Sequence, residues 1–235
     1  MKTAFDDDEL GRVEIRHSER ARRIKIVIKP DALHIVLPPG ASKQQGLAFL
    51  NEVRGKILQK QKKQIAHKRF IDEENSLQTL SFITKVQANA ERKTVFFRLK
   101  DGVLLIEYPQ GKDPRSDEMQ QFFRNGIEFF LRKEAKRLLP PRLKQLANLH
   151  GFSFTDVKIQ SSRTRWGSCS GRKSINLSYF LLSMPPNLID YVLLHELCHT
   201  VEMNHGERFW ALMDKVTGNR AKALRREVKR FSTSL

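Results

Sequence analysis

The run His195-Glu196-Leu197-Cys198-His199 constrains this chain most, because it asks for a helix while the next few residues ask that helix to stop. On an α-helix, residues four apart lie about 40° from being in line and about 6 Å apart along the axis. His195 and His199 therefore project from one face, where two imidazoles can grip one Zn²⁺ ion. Glu196 stands beside the first, placed to take a proton from a metal-bound water. A further histidine, His205, comes soon after. On an unbroken helix it would lie about 240° round from His199, on the far side. The chain must stop or bend for His205 to reach a shared metal, and Asn204 and Gly206 tolerate a left-handed helix stop. Glu202 would share the ligand face if the helix continued, either supporting a ligand or standing in for one.

The preceding Ile189-Asp190-Tyr191-Val192-Leu193-Leu194 is apolar, so the helix is expected to be largely buried. Two histidines and a glutamate buried together are costly unless paired or metal-bound. That favours one bound metal per chain over a chance match to a short motif.

A chain of 235 residues can bury a full core in one or two domains. No apolar run spans a bilayer, and the acidic start, Asp6 to Glu9, lacks the apolar stretch of a secretory signal. Cys169 and Cys198 make no disulfide scaffold. Each reads as a small buried residue, with thiolate ligation as the alternative. Together these features point to the reducing cytoplasm. The net charge is +17. Lys56, Lys60, Lys62, Lys63, Lys68 and Arg69 form one basic run; Arg220, Lys222, Arg225, Arg226, Lys229 and Arg230 form another. Such runs are ordinarily solvated helix faces, yet their field favours polyanions, nucleic acid included. No nucleic-acid fold motif accompanies them, and nothing fixes an oligomeric state.

Along the chain, Val13–His17, Ile24–Lys29 and Leu33–Leu37 alternate as strands, with Pro30-Asp31 as a turn, which predicts a meander with a hairpin. Ser42 can cap a helix starting near Lys43 that the lysine run extends. Strand patterns return at Leu80–Ile83, Thr94–Leu99 and Val103–Tyr108, the last two joined by Lys100-Asp101-Gly102. The turn-rich Pro109–Pro114 marks a boundary, giving a β-rich region 1–112 with one basic helix and a catalytic domain 113–235. Ser116 then opens a long helix with Phe122, Phe123, Ile127, Phe130, Leu131 and Ala135 as its core stripe, broken at Pro140-Pro141. A hairpin over Val157–Gln160 and Ser174–Leu177 comes next, and Pro185-Pro186 opens the metal helix. Phe209, Trp210, Leu212, Met213 and Val216 form one more amphipathic helix.

The hairpin carries a second constellation, Arg163-Thr164-Arg165-Trp166-Gly167-Ser168-Cys169. Arg165 could hold an oxyanion or grip a phosphate; stacked on Trp166 it would instead pin the hairpin to the helix. Arg163, Trp166 and Asn176 are weaker substrate-binding candidates.

Arg163 to Cys169, Ile175-Asn176-Leu177, Ile189 to Val192, His195 to His199, Asn204-His205 and Phe209-Trp210 together make the chain resemble the YgjP-like family of zinc metallopeptidases. That family is a zincin branch related to SprT-like and WLM proteases. Arg22 to Ile28 and Leu37-Pro38-Pro39 also look like its N-terminal part. The resemblance implies His195, His199 and His205 as zinc ligands and Glu196 as catalytic base. Better-known zincins of this ligand spacing carry glycine where this chain has Glu202, so the turn is expected at Asn204. The resulting expectation is an α+β fold: a zincin-like core of active-site helix, backing helix and small antiparallel sheet, with a β-rich N-terminal part. Its function would be zinc-dependent hydrolysis of peptides. Two alternatives stand beside it: a phosphohydrolase that holds a nucleotide substrate through Arg163 and Arg165, and a nucleic-acid-associated protein with structural zinc.

Overall fold

The computed structural model describes residues 3–28, 32–66 and 70–232, with the side chains of 60–66 excepted. The expected turn at Pro30-Asp31, and the side chains of Lys60, Lys62, Lys63, Lys68 and Arg69 from the first basic run, lie outside the described residues. The chain divides into two units, Met1–Arg69 and Phe70–Leu235. The boundary expected after residue 112 falls inside the second unit. The reason is packing: Phe82, Val86, Leu104, Ile106 and Tyr108 share one buried core with Phe123, Ile127 and Leu131 of the long helix.

In the first unit, β1 (Thr3–Asp7), β2 (Gly11–His17), β3 (Lys25–Ile28) and β4 (Leu33–Leu37) form one sheet in the order β1-β2-β4-β3. The expected hairpin of β3 and β4 is present. The expected meander is not, because β2 pairs with β4 in parallel and β3 is pushed to the edge. Val13, Ile15, Leu33, Ile35 and Leu37 share a core with Leu50 and Ile57 of α1 (Lys43–Ala66). Ser42 caps α1 reciprocally: Gln45 N–H donates to the Ser42 hydroxyl at 3.2 Å and Ser42 N–H to Gln45 Oε1 at 2.8 Å.

The second unit begins with β5 (Ile83–Asn89), β6 (Phe96–Lys100) and β7 (Val103–Pro109) in the order β5-β7-β6. The strand expected at Leu80–Ile83 starts only at Ile83. Its buried face is carried by Thr84 and Val86 while Ile83 faces out, so the apolar letters mislead. Asp101 and Gly102 both take positive φ, 49° and 74°, as a two-residue hairpin turn requires. Then α2 (Asp117–His150) runs 34 residues from its Ser116 cap, straight through Pro140 and Pro141. Each interior proline costs about 3 kcal/mol, but Leu139 and Leu143 flank the pair almost fully buried, and their packing holds the helix in register. Phe122, expected in the stripe, is half exposed.

A small sheet comes next: β8 (Asp156–Gln160), β9 (Gly167–Cys169) and β10 (Ser174–Ser178), in the order β8-β10-β9. It is mixed and not antiparallel, since β8 and β10 run parallel. A 3-10 turn, Tyr179–Ser183, leads to α3 (Pro186–Cys198), with Pro186 in the first helical turn where its missing N–H costs nothing. Arg142 of α2 clamps Asp190 of α3 through two bonds of 2.8 and 2.5 Å. The chain ends with α4 (Glu207–Thr217) and α5 (Ala221–Val228). The α+β class is as expected. Among the described residues no helix is long and apolar enough to cross a membrane.

Candidate active site

Leu193, Leu194 and Leu197 are nearly inaccessible and bind α3 into the core, so the other side of its last turn carries the polar cluster. The helix ends at Cys198, sooner than expected. Thr200 and Val201 N–H groups donate to the Leu197 and Cys198 carbonyls at 2.9 and 3.0 Å, which tightens the last turn, and the Thr200 hydroxyl also donates to Leu197 O. No left-handed residue is used. Neither Asn204 nor Gly206 has positive φ, so the stop expected at Asn204 is made by tightening instead.

The outcome is a triangle. His195 Nε2 lies 3.2 Å from His199 Nε2 and 3.1 Å from His205 Nε2, and the last two are 3.1 Å apart. Tetrahedral zinc with bonds of 2.0–2.1 Å separates its nitrogens by about 3.3 Å, so the three donors fit one ion. Among the described residues these three histidines are the group able to hold a metal. The Glu202 carboxylate is not among the converging ligand atoms. The residue contributes its backbone carbonyl, which stands 3.1 Å from His199 Nδ1 and accepts that N–H when the Nδ1 tautomer is set. Phe209 stacks on His199 with centroids 4.6 Å apart, and Trp210 stacks on His205 and donates its Nε1–H to the His205 carbonyl at 3.1 Å. Sequence reads these aromatics as a core stripe and as part of the family resemblance, but not as supports of the histidine rings; their spacing after His205 is the available signal.

The electrostatics disfavour a charge on two of the imidazoles, His195 and His199. Burial, together with its two histidine neighbours, holds His195 down to about 3, and burial also lowers His199. Glu196 is pushed the other way, up to about 8 by burial, with the positive charge of Arg165 opposing. Its Oε2 and the Nδ1 of His195 are buried without a hydrogen-bond partner among the described residues. Gly167 explains how β9 comes so close: a Cβ there would stand 2.7 Å from Glu196 Oε1 and Cγ. Sequence reasoning does not single out this glycine, since nothing local in the chain points to a contact across to α3.

The two arginines of the hairpin part company. Arg165 is exposed beside Gly167, Ser168 and Asn176, close enough for its charge to act on Glu196. Arg163 pairs with Glu128 of α2, which also accepts from the Tyr179 hydroxyl at 2.6 Å, and it lies over the Phe180 ring. Trp166 packs against the core. Asn176 is engaged within the sheet, accepting from Gln160 at 2.7 Å and reaching Ser168 at 3.4 Å. Cys198 is fully buried, its thiol pushed up to about 12, and Cys169 is half-buried with its thiol also raised by burial; neither joins the histidine cluster. The second basic run is exposed, with Lys222, Arg225 and Arg226 on α5 and the rest flanking it, and Arg225 lies over Trp210 at 4.7 Å.

A family model described as YgjP-like, metallopeptidase domain, matches residues 22–231. No protein of curated function matches the chain. The crystal structure of the metallopeptidase zymogen of Pyrococcus abyssi abylysin is similar over 40% of this chain and 95% of its own, at 24% identity and a TM-score of 0.36. A likeness of that size carries no argument.

Proposed function

Because the chain belongs to the YgjP-like metallopeptidase family, we propose that it hydrolyses peptide bonds with zinc at His195, His199 and His205 and Glu196 as general base. The observation that carries this reading is the convergence of three Nε2 atoms beside a buried carboxylate that has no hydrogen-bond partner on Oε2. Zinc held there supplies a water of lowered pKa and a positive charge for a carbonyl oxygen. Glu196 accepts the water's proton, with Oε2 as the free atom, and delivers it to the leaving amine. Arg165, on the β9 side, stabilises the oxyanion. β9 ends its sheet next to Glu196, and in this reading an extended peptide adds to it as a further strand.

The other readings lose support. A phosphate grip by both arginines is short of Arg163, which is committed to Glu128. Structural zinc takes four protein ligands, whereas three histidines leave a position open. The two free thiols suit a cytoplasmic location.

The test is to incubate zinc-loaded protein with a mixed peptide library and a nucleotide panel, with Glu196→Gln alongside. Peptide products that disappear in the variant, at unchanged zinc content, are expected. Near-normal kcat in Glu196→Gln would sink the role of that residue, and products from nucleotides alone would move the chemistry to phosphoanhydrides.

A further inference from the structure

The first unit holds a groove of about 950 Å³ that the metal chemistry does not use. One wall is β3, which among the described residues is an edge strand paired with β4 alone. Ile26 and Ile28 point from it toward the unit's core but remain half-exposed, and Ile24 continues the row. The other wall is a ridge of α1 at four-residue spacing, Phe49, Val53 and Ile57. An edge strand facing a helix across an apolar trough is the geometry that accepts an added strand: the backbone edge supplies hydrogen bonds and the trough takes alternate side chains.

Charge says which strand. Every charged residue lining the groove is a cation: Arg23, Lys25 and Lys56. None of the three has an ion-pair partner among the described residues. Arg54, on the same helix, shows the contrast, since it is neutralised by Asp7 at 2.6 Å and Glu9 at 2.9 Å. The four residues of β3 span about 13 Å. We propose that this groove docks a short extended peptide by strand addition, one that alternates apolar and acidic side chains, with the apolar ones in the trough and the acidic ones on the cationic rim.

The test uses the full chain carrying Glu196→Gln, so that the probe is not consumed, and measures fluorescence anisotropy of a labelled peptide alternating valine and glutamate. Saturable binding that weakens with added salt is expected, with no binding of a valine–lysine peptide or of a probe carrying central prolines. Val53→Glu, and separately Lys25→Glu with Lys56→Glu, should each weaken binding at least tenfold. Melting curves would show that both variants stay folded. Equal binding of the acidic and basic peptides, or of neither, overturns the proposal; the second result would mean that the lysines merely guard an edge. Displacement of the probe by oligothymidylate of equal charge would assign the rim to nucleic acid. A dimer in sedimentation that Val53→Glu dissociates would assign the groove to a second copy of this chain.

Discussion

Three carboxylates of α2 and α3, Glu128, Glu134 and Asp190, are answered by guanidinium groups, while Glu196 at the inner end of α3 is not. Glu128 meets Arg163 and the Tyr179 hydroxyl, Glu134 meets Arg137 at 2.5 Å, and Asp190 meets Arg142. Glu196, as buried as any of them, keeps an oxygen unpaired, and His195 keeps a nitrogen unpaired. Three imidazole nitrogens meet at 3.1–3.2 Å with no carboxylate among them. A folded chain ordinarily satisfies its buried polar groups because each orphan costs about 1–3 kcal/mol. The paired acids therefore hold the scaffold together, whereas the cluster proposed as the site keeps polar atoms that nothing among the described residues satisfies.

The hardest blow to this contrast is His199→Ala, which removes one corner of the triangle and the ring on which Phe209 stacks. Stoichiometric zinc should be lost by elemental analysis, and hydrolysis with it. Full zinc content in this variant would mean that the three histidines are not the ligand set. Next in size is Arg165→Ala. An oxyanion donor acts chiefly in the transition state, so kcat should fall by about 10²- to 10³-fold with KM little changed. A loss confined to KM that fades with added salt would instead identify Arg165 as a ground-state clamp on a charged substrate.

A third consequence concerns the metal-free protein. Glu196 binds its proton up to about pH 8 when folded, against an ordinary carboxyl value of 4.5. Between those values the folded state holds a proton that the unfolded state has released, so stability falls as pH rises. His195 works in the opposite sense, being lowered from 6.5 to about 3, so its contribution rises with pH and is complete above 6.5. From about pH 6.5 to 8 Glu196 acts without that opposition, with a slope of at most about 1.4 kcal/mol per pH unit. Melting curves in chelator should slope downward across this window and be flatter in Glu196→Gln. Equal slopes would mean that the buried carboxylate carries no such penalty.

The meeting of the three histidines was legible because its logic is helical: spacing alone brings His195 and His199 to one face, and His205 then needs a stop to join them. How the stop is made was hidden, since tightening the last turn through Thr200 leaves no glycine or asparagine signature. Pro140 and Pro141 read as a break because propensity is local, whereas the packing of Leu139 and Leu143 that carries the helix through them is tertiary. The same limit explains the first sheet. Alternation identified β2, β3 and β4, but it does not encode which neighbour each strand chooses, and the parallel pairing of β2 with β4 depends on where the connection runs. Sequence ranks Arg163 below Arg165 without a contact to say why, and the structure supplies one in Glu128 on a distant helix.

That separation gives the smallest and most discriminating measurement. Arg163→Ala removes a pair whose arginine is 55% exposed and whose Glu128 is 21% exposed, together with a guanidinium over Phe180 at 5.3 Å. Pairs this open to solvent contribute little, so the melting temperature should fall by only a few degrees. Turnover should stay close to that of the parent, because the side chain points to α2 and leaves Glu196 untouched. Arg165→Ala should give the mirror image, with normal melting and depressed kcat. Glu128→Gln extends the comparison: it weakens the same pair from the other end and should reproduce the small loss of stability without a kinetic effect. If Arg163→Ala lowers kcat as deeply as Arg165→Ala, the hairpin acts as one unit, and the division between a scaffold arginine and a site arginine fails.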